Sequence, residues 1–193
     1  MTGTADWRAR KRDETHQRIY DTAMRLFQER GYDRVSVSDI ASGAKVSVPT
    51  FYAHYENKEH IVMQMPTQEE VDQVLASTPA DLPVGQRVRE GILAWIAHYQ
   101  QPELDQLLAR WRIVVATPGL RNRAAEFERA TAGLVSDAFK TEARPDSSPV
   151  TTEVVVTASL SAYTQIILRW AEGDGRHPLP EVAEDVLDAL RNL

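Results

Sequence analysis

Apolar residues recur at intervals of three and four along most of this 193-residue chain, and that spacing predicts helices. The one strand-like run, residues 154–156, lies between helical stripes. We therefore predict an all-α fold. The predicted helices cover residues 13–30, 36–43, 48–55, a connecting segment from 59 that Pro66 should break, 85–101, 102–117, 120–142, 150–171, and 180 to the end.

Residues 35–58, which read VSVSDIASGAKVSVPTFYAHYENK, contain two short helix patterns joined by a tight turn. This arrangement predicts a helix-turn-helix unit. Ser36 can cap the first helix and Ser47 the second, where Pro49 falls in the first turn. Phe51 and Tyr55 lie four residues apart, so both should point inward against Ile40. The open face of the second helix then consists of Val48, Pro49, Thr50, Tyr52, Ala53 and His54.

Small and hydrogen-bonding groups on such a face are typical of a helix that enters the major groove of DNA. We predict that one group meets base edges, namely Ser47, Val48, Pro49 and Thr50. A second group should hold phosphates, namely Tyr52, His54 and Lys58. Ser36 and Lys45, which flank these helices, complete the predicted DNA-binding set.

The helix-turn-helix segment resembles the DNA-binding region of the tetracycline-repressor (TetR) family of transcriptional regulators. The resemblance covers about the first third of the chain and is carried by Phe27, Gly31, Tyr32, Ile40, Ala41, Ala44, Val46, Ser47, Thr50, Phe51, Tyr52, Tyr55, Lys58 and Glu59. Lys45 stands where the family usually has glycine. Either Lys45 adopts a positive φ, at a strain on the order of 1 kcal/mol, or Gly43 relaxes the turn instead.

The charged residues are unevenly distributed along the chain, and the predicted DNA-binding part carries none of the net negative charge. The net charge is −6, but residues 1–60 hold ten Lys and Arg against nine Asp and Glu, so the acidic excess belongs to the remainder. Arg8, Arg10, Lys11 and Arg12 form a basic cluster, which we interpret as a flexible arm that follows the DNA backbone or enters a minor groove. The alternative is a solubilising tail.

Composition excludes several other kinds of chemistry. The chain has no cysteine, which excludes disulfides and thiolate sites, and its five histidines include no pair at i, i+4. We therefore expect no metal, no cofactor and no catalytic site. No apolar run is long enough for a membrane span, and the start of the chain lacks a secretory pattern, so we expect a cytoplasmic protein.

The resemblance implies two domains: residues 1–58 for DNA binding, with the basic N-terminal arm, and residues 59–193 for effector binding and dimerisation. Aromatic residues from several helices, together with nearby polar groups, give the predicted effector site: Trp95, His98, Tyr99, Arg110, Trp111, Phe127 and Tyr163. The alternatives are ordinary core packing for the aromatic residues and solvent exposure for the polar ones. The acidic balance favours a neutral or cationic effector, although Arg110 could reverse that preference locally.

Helix-turn-helix proteins usually bind two half-sites as a symmetric pair. The last two helices carry small and β-branched residues suited to a homodimer interface: Val154, Ala158, Ser161, Ala162, Val182, Val186, Ala189 and Leu190. The alternative is burial of these stripes within one chain. As a whole, the sequence predicts a dimeric repressor that binds a double-stranded DNA operator and is released by a small-molecule effector. A helical ligand-binding protein or small enzyme, or a regulator without a small-molecule effector, are the alternatives.

Overall fold

The computed structural model describes residues 3–141 and 148–191, and these residues form helices and loops without any strand. The prediction of an all-α fold is confirmed. The chain divides into two compact units, Met1–Gln64 and Met65–Leu193. In the described ranges, no helix combines the length and apolar content that crossing a membrane requires.

The described residues of the first unit form four α-helices and a short 3-10 turn. They are α1 (Gly3–Arg30), the 3-10 turn Tyr32–Arg34, α2 (Val37–Gly43), α3 (Val48–Tyr52) and α4 (Glu59–Val62). Helix α1 begins at Gly3 rather than near Asp13, so the basic cluster is helical and the expectation of a flexible arm was wrong. Arginine, lysine and alanine favour helix without forming an apolar stripe, so the periodicity could not reveal this extension.

The core of the first unit forms where α1 meets the helix-turn-helix. Ile19 and Ala23 on α1 are fully buried, as are Ile40 on α2 and Phe51 on α3. Tyr55, which follows α3, is 5% exposed. The prediction that Phe51 and Tyr55 point inward is therefore confirmed, and their burial fixes which side of α3 faces solvent.

In the part of the second unit that the structure describes there are six helices: α5 (Gln68–Ala76), α6 (Val84–His98), α7 (Glu103–Ala116), α8 (Pro118–Thr141), α9 (Pro149–Glu172) and α10 (Leu179–Arg191). Residues 63–67 are not helical, which confirms the predicted break at Pro66. Pro118 opens α8, two residues before the predicted start, because proline suits the first turn of a helix. Glu142, the predicted end of that helix, lies outside the described residues.

Helix α9 is the centre of the second unit and packs against α6, α7, α8 and α10. Val156, Ile166 and Ile167 on α9 are fully buried, and the indole nitrogen of Trp170 donates to the His177 carbonyl at 3.1 Å. An apolar helix surrounded on several sides holds its neighbours in place through hydrophobic burial. Side chains of α6, α7 and α9 that face one another are therefore held in fixed relative positions.

Candidate nucleic-acid interface and ligand site

Helix α2 is capped by its own side chains. The Ser36 hydroxyl accepts from the Asp39 backbone N–H at 3.1 Å, and the Asp39 carboxylate accepts from the Ser36 backbone N–H at 2.9 Å. Hydrogen bonding from Ser36 is also the main reason that the pKa of Asp39 is lowered. Ser36 thus stabilises the start of α2, and because it is also exposed, its DNA contact stays a prediction.

The turn between α2 and α3 is a Schellman motif that ends α2. The Lys45 N–H donates to the Ser42 carbonyl at 3.1 Å, and the Val46 N–H donates to the Ala41 carbonyl at 2.9 Å. Lys45 supplies the left-handed residue, with φ of 54°. Of the two sequence-based alternatives, the structure therefore has the strained lysine.

Gly43 has a different role, because it lies within α2 and lets that helix approach α1 closely. A Cβ atom at this position would come within 2.8 Å of the Thr22 Cγ2 atom. The same region is held from α1 by Arg18, whose Nε donates to the Ala44 carbonyl at 2.9 Å. The close approach of Gly43 to α1 and the hydrogen bond from Arg18 fix the end of α2. They therefore also fix the direction in which the chain enters α3.

Helix α3 presents a solvent-exposed face on a rigid base. The Ser47 hydroxyl accepts from the Thr50 N–H at 3.1 Å and lies 2.7 Å from the Thr50 hydroxyl. Ser47, Val48 and Pro49 are exposed, Tyr52 is 54% exposed, and Thr50 is half-buried. The regular helix ends at Tyr52, although the Tyr55 N–H still donates to the Phe51 carbonyl at 2.9 Å. The predicted base-reading residues therefore share one accessible face.

His54, His16 and Tyr55 form an aromatic cluster beside this face. The Tyr55 hydroxyl lies 2.8 Å from His16 Nε2, the two rings stack at 4.3 Å, and the His54 ring centroid is 5.8 Å from that of His16. Burial lowers the pKa of both histidines, and the charge of Arg12 lowers both pKa values further. Near neutral pH, His54 is therefore an uncharged hydrogen-bonding group rather than a cation.

Lys58 has partners within its own unit. Its ammonium group donates to the Tyr32 carbonyl at 3.1 Å and to the Val35 carbonyl at 3.2 Å, and it lies 4.1 Å from the centre of the Tyr32 ring. These contacts stabilise the short segment that leads into α2. An ammonium group has three N–H donors, so a phosphate contact by Lys58 stays a prediction in addition to this structural role.

Four of the predicted ligand-binding residues converge between α6, α7 and α9. The Trp95 indole donates to the Tyr99 hydroxyl at 3.0 Å. The Tyr163 hydroxyl is close to Tyr99, Trp95 and the Arg110 charge, and burial holds its pKa well above the usual value. Arg110 itself is only 8% exposed. This set of Trp95, Tyr99, Arg110 and Tyr163 is called the polar cluster below.

The other predicted ligand-binding residues are placed differently. Trp111 is half-buried against the apolar core, Phe127 is half-buried on α8, and His98 is exposed near the end of α6. Exposure leaves His98 facing solvent, as in the alternative interpretation of the sequence. The remaining candidates keep the aromatic, largely apolar character of a small-molecule site.

A concave region apart from the polar cluster, with a volume of about 640 Å³, lies between α8 and α9. Its described lining includes charged and small polar groups such as Arg129, Ser136 and Glu153, and none of the predicted ligand-binding residues. Sequence reasoning missed this cleft because its polar residues have the pattern of solvent-facing helix positions. Only the packing of α8 beside α9 brings them together.

The predicted dimer residues fall into two groups. Val154, Ala158 and Ala189 are exposed, Val154 to 63%. Ala162 belongs to the core, and the side chains of Val182, Val186 and Leu190 pack partly against it, while Ser161 is half-buried. Burial within one chain therefore accounts for Ala162, as the alternative interpretation held for part of these stripes. The exposed residues remain candidates for the interface.

Comparison with known protein families finds a match in each of two separate parts of the chain. Residues 19–65 match the family model described as "Bacterial regulatory proteins, tetR family", and residues 82–193 match the model of the "MftR C-terminal domain". Over 57 residues the chain is 46% identical to the uncharacterized HTH-type transcriptional regulator YdeS of Bacillus subtilis. That match covers 29% of this chain and 29% of YdeS.

Two further similarities extend over nearly the whole chain. The HTH-type transcriptional regulator TcmR of Streptomyces glaucescens is 25% identical over 95% of this chain and 86% of its own length. The crystal structure of NalD, the secondary repressor of the MexAB-OprM multidrug efflux pump in Pseudomonas aeruginosa, has a TM-score of 0.59 at 18% identity, covering 93% of this chain and 96% of NalD. At that identity, the likeness to NalD shows a shared fold.

Proposed function

The chain belongs to the TetR family of bacterial transcriptional regulators, and from that premise we propose that it represses transcription by binding an operator and leaves the DNA when a small-molecule effector binds. The family assignment rests on models that match both parts of the chain, the second over more than half of its length. The place of action under this proposal is the cytoplasm. No enzymatic step is part of it.

The main support for DNA binding is the exposed face of α3. Val48 and Tyr52 are among the large apolar side chains that solvent reaches, at 36% and 54%, while Phe51 between them is fully buried. Such a face, held by an internal cap and a buried ring, suits insertion into a major groove. Lys45 lies exposed just before it and adds a positive charge for the phosphate backbone.

A symmetric dimer is the second part of the proposal. Two reading helices in one assembly would contact half-sites about 34 to 36 Å apart. On α9, Val150 and Val154 are 70% and 63% exposed, and Ala158 continues the same helical stripe. Burying such side chains against a second copy would gain hydrophobic free energy at roughly 25 cal/mol per Å².

The third part is the response to an effector. The proposed site is the polar cluster, where residues of α6, α7 and α9 meet. A ligand that binds there would favour one arrangement of these helices, and the non-helical segment 63–67 is the proposed joint through which the change reaches the DNA-binding unit. The required coupling is about 1 to 3 kcal/mol, a typical value for allosteric proteins.

Selection of bound duplexes from a randomised DNA library tests this function. The intact protein should enrich a palindromic site, and Thr50→Ala should change the bases preferred within each half-site. Thr50→Ser is the matched control, because it keeps the hydroxyl group that pairs with Ser47. Failure to enrich any site, or an identical preference in all three proteins, would contradict the proposal.

A further inference from the structure

Among the described residues of the second unit two arginines are buried, and only Arg87 has its hydrogen bonds satisfied. Arg87 is 1% exposed, and its guanidinium donates to the Thr78 hydroxyl at 3.0 Å and to the Leu75 carbonyl at 2.9 Å. The group also lies 5.2 Å from the centre of the Phe139 ring. Arg87 therefore connects the end of α5 with α6 and α8 as a fully engaged structural cation.

Arg110 is the opposite case. It is 8% exposed, and its Nε atom is buried without a hydrogen-bond partner among the described residues. Across the described ranges no carboxylate forms an ion pair with it. The acidic residues of its own helix have other partners, since Glu103 accepts from the Gln100 N–H and Asp105 faces the Gln101 amide.

A buried guanidinium without a counter-charge is unfavourable because desolvation is not offset by an ion pair. A negatively charged group on a bound compound would supply the missing partner. The protein groups around Arg110 indicate what kind of compound would fit there. The Tyr99 and Tyr163 hydroxyls and the Trp95 indole lie in the same cluster, and Leu107 and Trp111 provide apolar surface nearby. The site thus combines one positive charge with an aromatic and apolar wall.

We propose that the effector is an apolar monocarboxylic acid whose carboxylate is bound by Arg110, while its apolar body packs against the aromatic side chains of the polar cluster. This inference rests on the proposed function, because it names the class of effector for the same site. A guanidinium matches a carboxylate in planar, bidentate geometry. One arginine neutralises one negative charge, which fits a carboxylate better than a phosphate carrying about −1.5 to −2.

The test measures thermal unfolding of the full chain with two pairs of probes, 2-naphthoate with 2-naphthamide and decanoate with decanamide. Within each pair the body is the same and only the charge differs. At least one acid should raise the midpoint of the wild-type protein more than its amide does, and should bind roughly tenfold more tightly, a difference that corresponds to about 1.4 kcal/mol. Equal shifts within both pairs, or no shift with either acid, would overturn the inference.

Two variants separate binding from folding. Arg110→Met should remove the preference for the acid while leaving the unfolding midpoint of the ligand-free protein unchanged or higher, because an uncompensated charge is lost. Arg87→Met is the matched control and should lower the midpoint, because the hydrogen bonds from the guanidinium to the Thr78 hydroxyl and the Leu75 carbonyl are lost. If Arg110→Met is destabilised as strongly as Arg87→Met, Arg110 is structural and the inference fails.

Duplex binding distinguishes this inference from the proposed function. Arg110→Met should still bind operator DNA but should no longer be released by the acid that releases the wild-type protein. A wild-type protein that prefers acids but never binds a duplex would contradict the proposed function alone. A protein that binds a duplex without any preference for the acids would contradict the present inference alone.

Discussion

Replacement of Lys45 by glycine should raise the stability of the protein and weaken its binding to DNA. Lys45 has φ of 54°, where a residue with a Cβ atom is strained by about 1 to 2 kcal/mol. Glycine removes that strain, but its extra freedom in the unfolded chain returns about 0.4 to 1 kcal/mol. Lys45→Gly should therefore stabilise the protein by about 0.5 to 1 kcal/mol, which is about 1 to 4 °C in the unfolding midpoint of a chain of this size.

The same substitution removes one exposed positive charge next to α3. If each Lys45 neutralises one phosphate, the slope of log K against log salt should fall by about 0.9 for each protomer, and by about 1.8 for a dimer. Fluorescence anisotropy with a labelled operator at several salt concentrations measures this slope, and thermal unfolding measures the stability.

Lys45→Ala is the matched control, because it removes the charge but keeps the Cβ atom. It should lose the same salt dependence as Lys45→Gly without gaining stability. Equal midpoints for the glycine and alanine variants would refute the assignment of backbone strain. An unchanged salt slope in both would refute the proposed phosphate contact.

Three further predictions follow from local geometry. Gly175→Ala should cost about 2 kcal/mol in urea unfolding, because Gly175 has a left-handed φ of 69° and a Cβ atom there would lie 2.6 Å from a Leu108 methyl group. Gly133→Ala should instead gain about 0.5 to 1 kcal/mol, because beyond its chain neighbours and its own helix backbone a Cβ atom there meets nothing within 4 Å. Equal effects of the two substitutions would contradict this. Lys58→Ala should cost about 1 to 3 kcal/mol, since two charge-assisted hydrogen bonds are lost, and an unchanged midpoint would contradict it. Because the pKa values of His16 and His54 are lowered below 6.5 in the folded protein, stability should be full above about pH 6.5 and decline as the pH falls from there toward the lowered pKa values; a double His→Gln variant with the same pH profile would argue against this origin.

The sequence pattern was sufficient to predict those features that depend only on residues within about one helical turn. Ser36 and Ser47 were identified as helix caps from their positions, and the break at Pro66 follows from a steric property of proline. The inward positions of Phe51 and Tyr55 followed from their spacing of four. These predictions depend on neighbours within a few residues, which the sequence displays directly.

Other features depend on contacts between distant segments and could not be predicted. Gly43 packs against Thr22 on another helix, so its role is spatial rather than a matter of turn geometry. The internal partners of Lys58 lie more than twenty residues earlier in the chain. Arg110 was a candidate from its residue type, but its burial and its unsatisfied Nε atom arise only when α7 packs among its neighbours.

Two copies of this chain should bind one DNA duplex, each through its α3 helix. Titration of the intact protein against the selected operator, at several salt concentrations and with the mass of the complex measured, tests it most directly. We expect two chains for each pair of half-sites and an affinity that falls steeply with salt, by a slope of about 0.9 for every phosphate contacted. A single chain per operator, or no salt-dependent duplex binding, would contradict it.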